Sequence, residues 1–381
     1  MLSKIIGSIK YIKEIITAPT VNILLLFAFF FIILSVSKIN KQEGIIFPNT
    51  PPNWMLIIVG CILFGASILL YVYISKKKVN INEEIFPPTP PVSTEAQKKL
   101  TNILKDELSK YMEKELYNDV IRFGSSISRV LWLNGEYEAR VEIGKMVEEA
   151  ATRLGQKLIK AETLIDDIGW TLVPQKKFEE AKNNIEHGMQ IATAIKNFYL
   201  VAKAKRHLSG IEIEKGRSEN ALKLLEESIV EANKIEDSTK RDEITAGIYY
   251  GLAEAYYLSG DYIKAEEMCL KSRNIYENIN DKERYAKHFA QLGKIKIEQN
   301  NLKSARDIFI AGLEYSKKIK RLDEITRNYV GLAITYAKMN EKRKATNNLN
   351  QAIKLLRHIP LVFWGNMVTE ITQLRNKLKG G

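Results

Sequence analysis

Six alanines recur at nearly even intervals along the later two-thirds of this chain: Ala139, Ala181, Ala221, Ala265, Ala305 and Ala345. The gaps are 42, 40, 44, 40 and 40 residues. A period of this size excludes most single-core folds. It requires a unit that buries its apolar surface against copies of itself, stacked along a line.

Each alanine sits in a wider frame. Four residues later comes an apolar side chain: Ile143, Ile185, Leu225, Cys269, Phe309 or Leu349. Seven residues later the side chain is small or slim: Met146, Gly188, Ser228, Ser272, Gly312 or Ala352. Twelve residues before the last five alanines lies another small residue, Gly169, Ser209, Ala253, Gly293 or Ala333, each preceded by Ile or Leu. Five units carry a turn former between these halves, namely Gly135, Gly216, Gly260, Asn300 and Asn340. Gly and Asn enter the left-handed backbone region that ends one helix and lets the next begin. The pattern predicts paired helices brought close at small residues.

This frame resembles the tetratricopeptide repeat. The clearest unit is Tyr249-x2-Leu252-Ala253-x2-Tyr256 followed by Ala265-x3-Cys269. Tyr329-x2-Leu332-Ala333-x2-Tyr336 with Ala345-x3-Leu349, and Phe289-x2-Leu292-Gly293 with Ala305-x3-Phe309, follow it. The Ala181 and Ala221 units match more loosely, and the Ala139 unit matches in its second helix alone. The family's repeat is ~34 residues and usually ends on a proline. Here the period is longer, and the repeats from Ala181 to Ala305 lack that proline, so each helix is expected to run on by roughly one turn of ~3.6 residues. HEAT and armadillo arrays overlap in period but do not require the small-residue frame. The expected fold is all-α: two transmembrane helices, then a right-handed solenoid of helical hairpins over 94–360, with a capping helix at 361–381.

The start of the chain reads differently. Residues 1–20 form an amphipathic segment, with Leu2, Ile5, Ile9, Ile12 and Ile16 opposed by Lys4, Lys10 and Lys13. The stretches 21–37 and 54–75 are apolar runs without a charge, as membrane spans require. Lysines number three before the first span, two between the spans and three after the second, which places both ends and the repeats in the cytoplasm and the loop 38–53 outside. Gly60, Cys61, Gly65, Ala66 and Ser67 give the second span a small-residue side for contact with the first or with another copy of the chain. The linker 76–93 holds Pro87, Pro88, Pro90 and Pro91, a semi-rigid spacer. Beyond it Leu100, Ile103, Leu104, Leu108, Tyr111 and Met112 line one face of a helix.

Chemistry has little to draw on. The chain has no Gly-rich phosphate loop, no His-Glu-x-x-His and no nucleophile elbow. Two cysteines and four scattered histidines support neither a disulfide framework nor a metal centre. The net charge of +12 is spread, with 49 basic against 41 acidic residues in 91–381, and no helix-turn-helix frame accompanies it, so nucleic acid is not the expected partner. No cofactor and no catalytic residue is expected.

What the family resemblance implies is a groove lined by the first helix of each repeat, with ligand contacts at its second, fifth and ninth positions. Carried onto this chain, those positions include Lys203, Arg206, Lys287, Lys294 and Arg327, with Trp170 and Tyr250 as flat apolar platforms. Such a lining suits a peptide with acidic residues or a free carboxylate. The Lys and Asn set of the family's chaperone-tail clamp is not reproduced. The expectation is a membrane-anchored scaffold that binds a protein segment. The alternative is a sensor–effector resembling membrane-disrupting proteins of bacterial conflict systems, in which the array senses and the two spans oligomerise.

Overall fold

The computed structural model describes residues 94–356 and 365–379, all within the compact unit Pro91–Gly381. The expected amphipathic segment, both spans, the loop between them and most of the linker fall outside the described residues. Among the described residues every regular element is helical, and no helix is long and apolar enough to cross a membrane.

The chain runs α1 (Thr94–Glu113), α2 (Tyr117–Asn134), α3 (Tyr137–Arg153), then α4 (Lys157–Glu162), which continues directly into a π-helical segment, Thr163–Trp170. There follow α5 (Phe178–Ala194), α6 (Phe198–Glu214), α7 (Ser218–Ala232), α8 (Ser238–Ser259) and α9 (Tyr262–Asn278). The last are α10 (Lys282–Glu298), α11 (Leu302–Lys318), α12 (Leu322–Lys338), α13 (Lys342–Leu356) and α14 (Gly365–Lys379). From α2 to α13 these form six hairpins, each packed on the next. Two helices of 17 residues with short turns account for the interval of 40. The longer gap before Ala265 comes from α8, which has 22 residues.

The turns follow from residue chemistry. Gly135, Gly216 and Gly260 take φ of 75°, 74° and 84°, and Asn300 and Asn340 take 58° and 62°. The hairpin without a Gly or Asn uses Lys176 at φ 60°. Asn197, Asp237, Asp261, Asp281 and Asn301 each accept a bond from the backbone N–H three residues on, capping α6, α8, α9, α10 and α11.

The small-residue frame is where the helices meet. Ala139, Ala181, Ala221, Ala265, Ala305 and Ala345 are all buried, as are the apolar residues four places on. The slim position seven places on is a bonding site in two hairpins: Ser228 Oγ donates to the Ala202 carbonyl at 2.7 Å, and Ser272 Oγ to the Ala246 carbonyl at 2.6 Å. Phe309 shows the closest fit. Its fully buried ring lies between Gly293 of α10 and Gly331 of α12, where an added Cβ would stand 2.4 Å and 2.2 Å from ring carbons. Core clusters follow one another along the array, from Ile165 and Ile185 through Leu225 and Ile248 to Cys269 and Ile295, then Phe309 and Leu332.

Three of the five pairs of successive first helices touch directly, the π segment on α6, α6 on α8, and α10 on α12, whereas the second helices of successive hairpins make no comparable contact. The first helices therefore form the inner, tighter layer.

The first flanking helix differs from the expected detail. In α1, Leu108 and Thr101 are buried, but Leu100 and Ile103 are 40% and 55% exposed, because α1 meets α2 and α3 along a narrow edge. The C-terminal helix is described from Gly365, and it buries Met367, Ile371 and Leu374 against α12 and α13.

Candidate functional site

The inner layer carries two polar clusters. The first is built on the π segment. An ordinary helix closes each backbone bond on the fourth residue back; a π segment closes on the fifth, and such segments recur where a helix must aim side chains unusually. Here the consecutive acids Asp166 and Asp167 face opposite neighbours. Asp167 turns back to the first hairpin: Arg140 Nη2 donates to it at 2.8 Å and Ser128 Oγ at 2.5 Å. Arg140 also bonds Ser128 and Thr171 and lies 5.2 Å from the Trp132 ring centroid.

Asp166 turns forward to α6. It accepts from Lys203 Nζ and pairs with His207 Nε2 at 2.8 Å. Burial works against its charge, but the His207 bond and the Lys203 ammonium outweigh burial and hold the carboxyl well below its ordinary range. His207 is itself 2% exposed and its pKa falls to about 3, driven by burial and then by the Arg206 charge. A neutral His207 therefore donates Nε2–H to Asp166. Trp170 stacks on that imidazole, with centroids 4.4 Å apart and planes inclined by 17°.

The second cluster joins three inner helices. Tyr250 and Glu254 come from α8, Lys287 from α10, and Glu324 and Arg327 from α12. Burial raises Glu254 to about 7, against the pull of Lys287 and Arg327. Lys287 is exposed to solvent, yet burial among its neighbours depresses its ammonium, with Glu324 opposing. Glu324 is 1% exposed, and burial raises its carboxyl despite Arg327 nearby. The nearest approach of opposite charges here is Arg327 Nε to Glu324 Oε1, at 3.7 Å. Glu324 Oε2 and Arg327 Nε have no hydrogen-bond partner.

The seven residues expected to line the groove thus fall into two sets. Trp170, Lys203 and Arg206 lie about the first cluster. Tyr250, Lys287, Lys294 and Arg327 surround Glu254 in the second. Two of the cations are paired internally, Lys203 with Asp166 and Lys294 with Glu370 of α14 at 2.7 Å. Arg206 and Lys287 make no ion pair among the described residues. The acidic half of both clusters, Asp166, Glu254 and Glu324, was not singled out by the sequence. Asp166 and Glu254 occupy lining positions, so counting charge of both signs there would have found them. Glu324, in the first turn of α12, reads as an ordinary solvated acid.

Comparison with known proteins agrees with this architecture. The profile of the tetratricopeptide repeat matches residues 244–318. The transcription activator GutR of Bacillus subtilis (strain 168) is 23% identical over 261 residues, 67% of this chain but 30% of GutR's own length. Among solved structures, a Rap protein complexed with Competence and Sporulation Factor aligns with a TM-score of 0.51 and 15% identity, covering 82% of this chain and 93% of that one. NprR in complex with its cognate peptide NprX aligns with a TM-score of 0.51 and 16% identity, covering 82% and 92%. At these identities the likeness is one of fold. The described chain is an all-helical, tetratricopeptide-repeat-like solenoid, with the family's own signature in residues 244–318.

Proposed function

We propose that the array binds a peptide, or an extended segment of a protein partner, along its inner face, and acts as a scaffold or regulator without chemistry of its own. The observation that carries this reading is the second cluster. Opposite charges sheltered in a groove collapse into ion pairs when they can reach each other. Among the described residues Glu254 of α8 and Lys287 of α10 make no ion pair, and Glu324 and Arg327 of α12 approach only to 3.7 Å, leaving Glu324 Oε2 and Arg327 Nε without a hydrogen-bond partner. A ligand that bridges them must offer donors and acceptors in alternation, which is what a polypeptide main chain does. Acidic side chains on that ligand would find Arg206 and Lys287. Two solved structures of like fold are complexes with Competence and Sporulation Factor and with the cognate peptide NprX, which supports a peptide ligand, and the similarity to the transcription activator GutR supports a regulatory role.

The apolar runs at 21–37 and 54–75 would tether this array to a membrane, with the repeats on the cytoplasmic side. The test is capture of partners by the full chain solubilised in detergent. Wild type is compared with a variant in which Arg206, Lys287 and Arg327 are changed to Glu. If both retain the same set of proteins, the inner face is not the binding surface.

A further inference from the structure

The array curls far enough to touch itself. Arg129, near the end of α2 in the first hairpin, lies 3.7 Å from Glu283 at the start of α10 in the fifth. The two helices have no other significant packing. We propose that Arg129 and Glu283 form a reversible clasp that closes one turn of the array, so that the inner face admits an extended polypeptide and excludes a folded domain until the clasp opens.

The two halves of the contact are built differently. Glu283 stands on a fixed base: Arg321 Nη1 donates to it at 3.1 Å, and Arg321 is itself held by Asp323 through bonds of 2.9 Å and 2.7 Å. Arg129 is a single side chain, 78% exposed, with Glu283 as its one ion-pair partner among the described residues. A clasp of this kind is weak by construction, since exposed pairs gain little and salt screens them. Weakness is what a gate needs. The occupant rests on the proposed peptide-binding role; the closure itself does not, and it is tested without any peptide.

The full chain is prepared in detergent with Cys61→Ala and Lys287→Cys. Cys269 is buried and burial pushes its thiol up, so it stays silent. Reaction of the new thiol is timed with a small maleimide and with a maleimide carried on a polymer of protein size. The expected result is that Arg129→Glu, or molar salt, speeds the bulky reagent relative to the small one by about two- to fivefold. Arg129→Ala should give a smaller change in the same direction. A ratio that neither charge reversal nor salt alters would overturn the clasp, and would leave the peptide-binding reading to its own test.

Discussion

Gly331→Ala separates two opposed expectations about the same helix. By intrinsic propensity, Ala in place of Gly within α12 stabilises by about 1 kcal/mol. The structure says otherwise. The new methyl would stand 2.2 Å from Cε1 and 2.3 Å from Cζ of Phe309, where carbon contacts normally sit near ~3.5–4.0 Å. The ring must move by more than an ångström, and Gly293 on its other face leaves no room, since a Cβ there would already be 2.4 Å from Cζ. Overpacking of this kind costs about 1–3 kcal/mol, and the clamped ring argues for the upper end. Subtracting the propensity gain leaves a net loss of about 2 kcal/mol. Phe309→Leu alone should cost about 1–2 kcal/mol through the space it vacates. Combined with Gly331→Ala it should do better than the sum, by about 1–2 kcal/mol of coupling, because the methyl fills what the ring gave up. The assay is urea unfolding of residues 91–381 followed by circular dichroism, with slopes compared across variants, since repeat arrays can lose cooperativity. A Gly331→Ala midpoint above wild type, or strict additivity with Phe309→Leu, would refute the packing argument.

Other consequences are open to measurement. Glu254 is held at about 7 against an ordinary value of 4.5, so the folded state keeps a proton that the unfolded chain has released. Its contribution to stability falls as pH rises from 4.5 to 7, and the difference between wild type and Glu254→Gln in urea midpoint should shrink with rising pH and then reverse sign or flatten. His207 works the other way. Its folded value of about 3 lies below the ordinary 6.5, so stability is lost as pH falls between them, and NMR titration should show no protonation of this imidazole above pH 5 in folded protein at ~25 °C. Asp166→Asn strands a half-buried Lys203 and should cost about 2 kcal/mol in urea unfolding, discounted from the ~3–5 kcal/mol of a fully buried pair; a neutral result would mean water already serves that ammonium. If the two apolar runs anchor the chain, alkaline carbonate should leave it in the membrane pellet, and extraction into the supernatant would remove the anchor.

The repeating parts of the fold were legible because they depend on residue size. Ala265, Cys269 and Ser272 mark contact, cushion and close approach wherever they recur, and each is buried as its place in the frame requires. Glycine and asparagine turns were legible for the same reason. Lys176, Lys196 and Lys320 were not, although all three adopt left-handed backbone with φ of 60°, 55° and 59°. Lys196 and Lys320 sit at the centre of three-residue connections between packed helices, and Lys176 in the longer connection between Trp170 and Phe178. The candidate site was half legible. Position in the repeat picks out Lys203 and Lys294 but gives no sign that Asp166 and Glu370 pair with them, since those partners come from another hairpin and from α14. The departure from α-geometry at Thr163–Trp170 left no trace in the apolar periodicity.

That departure has a consequence for how the chain tolerates change. A helix that closes on the fifth residue holds one residue more than its length needs. Deleting a single residue there should let the stretch relax into a common helix, with consecutive side chains set about 100° apart. Asp166 and Asp167 could then no longer look both ways, and the second hairpin would lose its polar ties to the first and to the third. In a protein assembled from repeated parts, this one spare residue sets the second part off from the rest.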